Sequence, residues 1–171
     1  MSHYSMIDTY FSLDEDETET YLYLCRDLLK NKGEFQCTRD AFKFLSDYAC
    51  LSAANQMELL FRVGRLDLIR RIFGQTWTPD SCPRYYMPIC SPFRCLMALV
   101  NDFLSDKEVE EMYFLCAPRL ESHLEPGSKK SFLRLASLLE DLELLGGDKL
   151  TFLRHLLTTI GRADLVKNLQ V

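Results

Sequence analysis

Gly64-Arg65-Leu66-Asp67-Leu68 and Gly161-Arg162-Ala163-Asp164-Leu165 are one five-residue pattern, Gly-Arg-x-Asp-Leu, written twice at a separation of 97 positions. The apolar residues ahead of each copy keep that offset: Leu59, Leu60 and Val63 fall on Leu156, Leu157 and Ile160. A second block repeats upstream. Tyr21-Leu22-Tyr23-Leu24-Cys25 matches Met112-Tyr113-Phe114-Leu115-Cys116 at an offset of 91. Each block follows a serine and a run of acids, Ser12-Leu13-Asp14-Glu15-Asp16-Glu17 in one case and Ser105-Asp106-Lys107-Glu108 in the other. Two separate blocks in the same order mark the chain as a duplication.

The periodicity around these blocks is helical. Tyr21, Leu24, Cys25 and Leu28 recur at i, i+3, i+4, i+7, and Leu153, Leu156, Leu157 and Ile160 do the same. Asp14 to Glu17 place negative charge where a helix start favours it, and Ser91-Pro92 reads as an N-cap and first helical position. The expected helices are 3–12, 15–30, 38–48, 54–63 and 65–73, then 92–104, 106–117, 128–143, 148–160 and 162–169, with Pro118 ending the second helix of the second half early. Nothing alternates cleanly enough to be a strand, so the fold is all-α. Residues 1–74 and 92–171 form two domains. The proline-rich stretch 75–91 joins them. That connector holds Trp77, Tyr85, Tyr86, Met87 and Ile89, too apolar for a solvated linker, so it is expected to pack on the domains.

Composition bounds the function. Among 171 residues, 47% are hydrophobic and 26% charged, as in a globular protein. The net charge is −5 and basic residues pair only as Arg70-Arg71 and Lys129-Lys130, so no basic stripe serves nucleic acid. Seven cysteines, an odd number without a C-x-x-C pair or a secretory signal, fit a reducing cytoplasm. The longest apolar run, 95–100, is far too short for membrane insertion. His3, His123 and His155 lie in no nucleophile motif, and there is no phosphate loop or G-x-S-x-G. Cys82, Cys90 and Cys95 match no zinc spacing. The expectation is a binding protein with no enzymatic activity and no cofactor or metal.

The motif residues suggest how it binds. Arg65 and Asp67 are two apart, and a third charge would fix them; Glu17 and Glu108 each stand eight residues before the repeated cysteine. An arginine held between two carboxylates is directional and strong, although a solvated ion pair would explain one copy alone. The helical face turns Leu24 and Leu115 toward the core, with Tyr23 and Phe114 beside it. An exposed Phe114 would be an apolar anchor.

An acid-led second helix ending in a (Tyr/Phe)-Leu-Cys block, followed by Arg-x-Asp-Leu, resembles the death effector domain. Two copies filling the chain look like the viral FLICE-inhibitory proteins of gammaherpesvirus type. The resemblance implies two tandem death-fold six-helix Greek-key bundles packed against each other. It implies partner-binding charge triads at Glu17, Arg65 and Asp67 and at Glu108, Arg162 and Asp164. It implies that Tyr23 and Leu24 serve an interdomain role and that Phe114 and Leu115 face a partner, against the core reading of Leu115. The implied partners are the death effector domains of FADD, procaspase-8 and procaspase-10, in the host cell cytoplasm, with self-association a further expectation. The implied function is inhibition of death-receptor-induced apoptosis by a chain without a protease domain. The alternative is a scaffold that activates NF-κB by binding the regulatory subunit of the IκB kinase. Two departures stand out. Pro118 shortens one helix, and the chain runs only six residues past Leu165, which implies a missing or reduced sixth helix in the second domain.

Overall fold

The computed structural model describes residues 4–30, 35, 37–47, 51–74, 76–78, 80 and 88–169. They fall into two compact units, Met1–Ser91 and Pro92–Val171. Among the described residues every regular element is a helix.

The first unit contains α1 (Tyr4–Ser12), α2 (Glu15–Leu24), α3 (Arg26–Leu29), α4 (Thr38–Asp47), α5 (Ala53–Val63) and α6 (Leu66–Phe73). Local chemistry sets the starts. Asp14 caps α2, accepting from the Glu17 amide at 2.8 Å while the Glu17 carboxylate accepts from the Asp14 amide at 2.9 Å. Ser52 and Asn55 form the same reciprocal cap on α5. The expected helix 15–30 is broken at Cys25, whose backbone flattens to φ −88°, ψ 1°. Leu28 then bonds back only three residues, to the Cys25 carbonyl, and the chain turns while the Cys25 side chain stays buried. The core is Tyr21, Leu24, Leu45, Leu59, Leu60, Leu68 and Ile69, all sealed from solvent, with Tyr21 stacked on Phe42 at 5.1 Å. The ends of the connector dock here. Trp77 is buried with its ring 5.0 Å from that of Phe61, and the Ile89 amide donates to the buried Glu58 carboxylate at 2.9 Å. Tyr85, Tyr86 and Met87 lie outside the described residues.

The second unit contains α7 (Pro92–Phe103), α8 (Asp106–Leu120), α9 (Phe132–Asp141), α10 (Thr151–Thr159) and α11 (Ala163–Asn168). Its core takes Met97, Met112, Cys116, Leu135, Leu139, Leu153 and Leu157 from the first four of these and Leu165 from α11. One expectation is corrected and a second is narrowed. First, α8 does not stop at 117 but carries Pro118 inside it and ends at Leu120. Proline costs a helix interior about 3 kcal/mol, chiefly through the carbonyl four residues back. Here that carbonyl belongs to Phe114, on the solvent side where water can satisfy it, while the extra turn fully buries Leu120, worth roughly 1.5–3 kcal/mol. Second, the sixth helix of the second unit is present but reduced. By the repeat, α11 corresponds to α6, with 6 residues against 8. The helix without a counterpart among the described residues is α3; residues 121–131 form turns instead.

Candidate functional site

The Gly-Arg-x-Asp-Leu pattern is a joint between two helices. Gly64 ends α5 with φ +86° and Gly161 follows α10 with φ +82°, backbone states that glycine adopts without strain. The arginine amide after each glycine reaches back to close the helix end, Arg65 to the Leu60 carbonyl and Arg162 to that of Leu157, both at 2.8 Å. That places each arginine at the cap position of the next helix. The aspartate then sits in that helix's first turn and the leucine turns inward; Leu68 and Leu165 are both buried.

From the joint each guanidinium organises three elements. Arg65 donates from Nε and Nη2 to the two oxygens of Asp67 at 2.9 and 2.8 Å, and from Nη1 to Glu17 at 2.8 Å. The same Nη1 also donates to the carbonyl of Ser12, the last residue of α1, at 2.7 Å. Arg162 repeats the set. It makes two bonds to Asp164 at 2.9 and 2.8 Å, contacts with both Glu108 oxygens at 3.1 and 3.3 Å, and a 2.7 Å bond to the carbonyl of Phe103 at the end of α7. Sequence reasoning reached the three side chains of each triad but missed the carbonyl, which no side-chain pattern encodes. Each glutamate serves twice, because Glu17 and Glu108 also complete the caps of α2 and α8.

The electrostatics follow from this geometry. The arginine fork holds the Asp67 carboxyl down to about 2, and Arg162 does the same for Asp164. Hydrogen bonds from Ser105, then from Arg162, lower Glu108. Both guanidiniums are held charged even more firmly than usual by those same carboxylates, the aspartate first. The two triads are exposed alike. Arg65 and Glu17 are mostly covered while the Asp67 side chain is 63% exposed; the figure for Asp164 is 62%. The aspartate is therefore the most exposed member of each triad.

The other repeated block breaks this symmetry. Tyr23 and Leu24 are 5% and 1% exposed, whereas Phe114 and Leu115 at the matching positions of α8 are 78% and 38% exposed. In the folded chain Leu24 is covered and Leu115 is exposed, so the core reading fails for Leu115. The helix turns Met112, Tyr113 and Cys116 inward, and Leu115 lies at the edge of that face. Glu110, Glu111 and Pro118 stand exposed around Phe114, which leaves an exposed apolar ring beside two carboxylates.

A buried ion pair went unread. Arg94 on α7 and Glu140 on α9 meet at 2.6 Å with side chains 4% and 6% exposed. The signal was available in part, since Arg94 shares a helical face with the buried Met97 and Ala98. Glu58 was missed likewise. Among the described residues no group of histidine, cysteine and acidic side chains could hold a metal ion. Burial pushes the Cys116 thiol up to about 11 and Cys25 higher still, the opposite of a nucleophile's need. His3 and Cys82 lie outside the described residues, and His123 and His155 are exposed. Among the described residues no helix is long and apolar enough to cross a membrane.

Known proteins are similar to this chain in sequence and in fold. The family model described as "Death effector domain" matches residues 93–171. The mouse CASP8 and FADD-like apoptosis regulator is 35% identical over 92% of this chain, which spans only 33% of that relative's length. The Viral FLICE protein of human herpesvirus 8 is 26% identical, with 92% of this chain and 82% of the relative covered. The Viral CASP8 and FADD-like apoptosis regulator of molluscum contagiosum virus is 28% identical, over 92% of this chain and 64% of the relative. A crystal structure of the viral FLIP MC159 superposes with a TM-score of 0.81 at 25% identity, covering 99% of this chain and 94% of that one. Residues 93–171 match the death effector domain family, and the whole chain is similar in sequence and in fold to the viral FLICE-inhibitory proteins.

Proposed function

We propose that this chain inhibits death-receptor-induced apoptosis in the host cell cytoplasm by binding FADD and the tandem death effector domains of procaspase-8, with procaspase-10 a further partner. The observation that carries the reading is the asymmetry at the repeated block. Phe114 and Leu115 of the second unit are exposed, whereas Tyr23 and Leu24 at the matching positions of the first are covered. A large exposed aromatic within a charged rim suits a protein interface, in which a few such anchors supply most of the binding energy. The Glu108-Arg162-Asp164 network fixes the start of the helix that carries the anchor, and Asp164 adds a charge of settled sign.

The mechanism is occupation. Death effector domains assemble by repeated contacts, and caspase domains are activated when the assembly brings them together. A chain that enters or caps the assembly, and whose described residues hold no arrangement for proteolysis, separates those caspase domains. The name of the mouse relative, an apoptosis regulator, supports the same direction. Co-precipitation with FADD and procaspase-8, followed by caspase-8 processing after receptor ligation, tests the proposal. Normal processing in the presence of the bound chain would overturn it. Activation of an NF-κB reporter with processing unaffected would put the scaffold role in its place.

A further inference from the structure

We infer that Ser12 is a phosphorylation site for an acidophilic serine kinase, and that its phosphate is received by Arg71 and draws Arg65 out of the first unit's charge network. Two independent features of the chain converge on this residue.

The first is the sequence that follows it. Ser12-Leu13-Asp14-Glu15-Asp16-Glu17 places acids at the second to fifth positions after the serine, and Asp14, Glu15 and Asp16 are exposed. A kinase with a basic substrate groove selects by that charge pattern. The second is the surroundings of the side chain. Ser12 Oγ accepts from Arg71 Nη2 at 2.5 Å and donates to the Asp8 carbonyl at 2.6 Å, while its own carbonyl accepts from Arg65 at 2.7 Å. Two guanidiniums from the α6 region thus already meet at one serine of α1.

In the reaction the kinase transfers the γ-phosphoryl group of ATP. The Oγ–phosphorus bond forms, the bond from the γ-phosphorus to the bridging oxygen breaks, ADP leaves, and the hydroxyl proton passes to the kinase's base. The product carries nearly two negative charges at the C-terminal end of α1, where the helix dipole opposes them, and close to Glu17 and Asp14. Arg71 is the group positioned to offset that repulsion. Arg65 is the second, and a phosphate competes for it against Glu17 and Asp67 with more charge and more acceptor oxygens. The second unit has no equivalent, because the residue matching Ser12 is Phe103. Asn168 stands where the repeat would place Arg71, so this serine–arginine clamp belongs to the first unit.

The test treats the full chain with Mg-ATP and an acidophilic serine/threonine kinase and maps the product by mass spectrometry. Phosphate is expected at Ser12 and is lost there in Ser12→Ala. Absence at Ser12 in the chain overturns the proposal; modification of a peptide of residues 8–19 under the same conditions would then assign the failure to shielding by the fold. Phosphorus NMR tests the arginine clamp. The second phosphate ionisation should fall below the usual value of about 6 and return toward it in Arg71→Ala. An ordinary ionisation in the unsubstituted chain would overturn the clamp. Release of Arg65 should appear as faster solvent exchange of its Nε–H after phosphorylation, and an unchanged rate would overturn that part.

Discussion

Arg65 and Asp67 are joined by two parallel hydrogen bonds of 2.9 and 2.8 Å although they lie only two residues apart on the chain. Such a pair cannot form along a regular helix, because side chains at i and i+2 point apart. It forms because Arg65 stands at the cap of α6, outside the helical backbone, and its side chain returns along the first turn.

Lysine at this position should fail. An ammonium group cannot make the parallel fork, and it cannot also reach Glu17 and the Ser12 carbonyl. Arg65→Lys and Arg65→Ala are each expected to lower stability by about 1–2 kcal/mol, mostly through the lost carbonyl bond and the poorly replaced fork. Differential scanning of the full chain measures this. A lysine variant as stable as the parent would reduce the network to a solvated pair.

Acid should dissolve the fork in a defined window. Asp67 is lowered from 3.8 to about 2 in the folded chain by the Arg65 fork. A carboxyl depressed in the folded state stabilises it at pH values above the unfolded pKa. That contribution is lost as pH falls through the folded pKa. The advantage of the parent over Asp67→Asn should therefore be constant near neutrality, shrink below about pH 4 and be lost below about pH 2. Asp164→Asn should behave in the same way, because the folded carboxyl is lowered to the same value. Urea titrations across that range would show it, and a difference independent of pH would contradict the assignment.

The repeated aromatic positions should separate binding from folding. Phe114→Asp removes an exposed ring and is expected to abolish co-precipitation with FADD or procaspase-8 while stability stays within about 0.5 kcal/mol. Tyr23→Ala empties a buried site and should cost roughly 2–5 kcal/mol. If Phe114→Asp unfolds the chain, or leaves binding intact, α8 is not the partner face.

The repeat made both triads legible in the sequence, because two copies of the same spacing identified Glu17 and Glu108 as partners for the two arginines. Helix type was legible from apolar spacing. The break at Cys25 was not, since Tyr21, Leu24, Cys25 and Leu28 continue a helical pattern through the turn. The run of α8 through Pro118 was hidden for the opposite reason. A local rule predicts the stop, and the burial of Leu120 by tertiary packing offsets it. The different fates of Leu24 and Leu115 could not be read from the apolar spacing, because both occupy the same place in the pattern. Only the family resemblance set them apart.

The Arg94–Glu140 pair gives a test in which removing two charges should do less harm than removing one. At 2.6 Å and with both side chains almost fully covered, each ion depends on the other, and Arg94 also lies over the Phe93 ring at 5.3 Å. Arg94→Met alone leaves a buried carboxylate, and Glu140→Leu alone leaves a buried guanidinium. Each should cost about 3–5 kcal/mol. The double substitution replaces both with apolar groups of similar length and restores a neutral interior, so it should lie near the parent or above it by about 1–4 kcal/mol. Chemical denaturation of the four proteins gives the coupling directly. If the two single losses simply add in the double variant, the charges act separately and the pair does not hold α7 to α9.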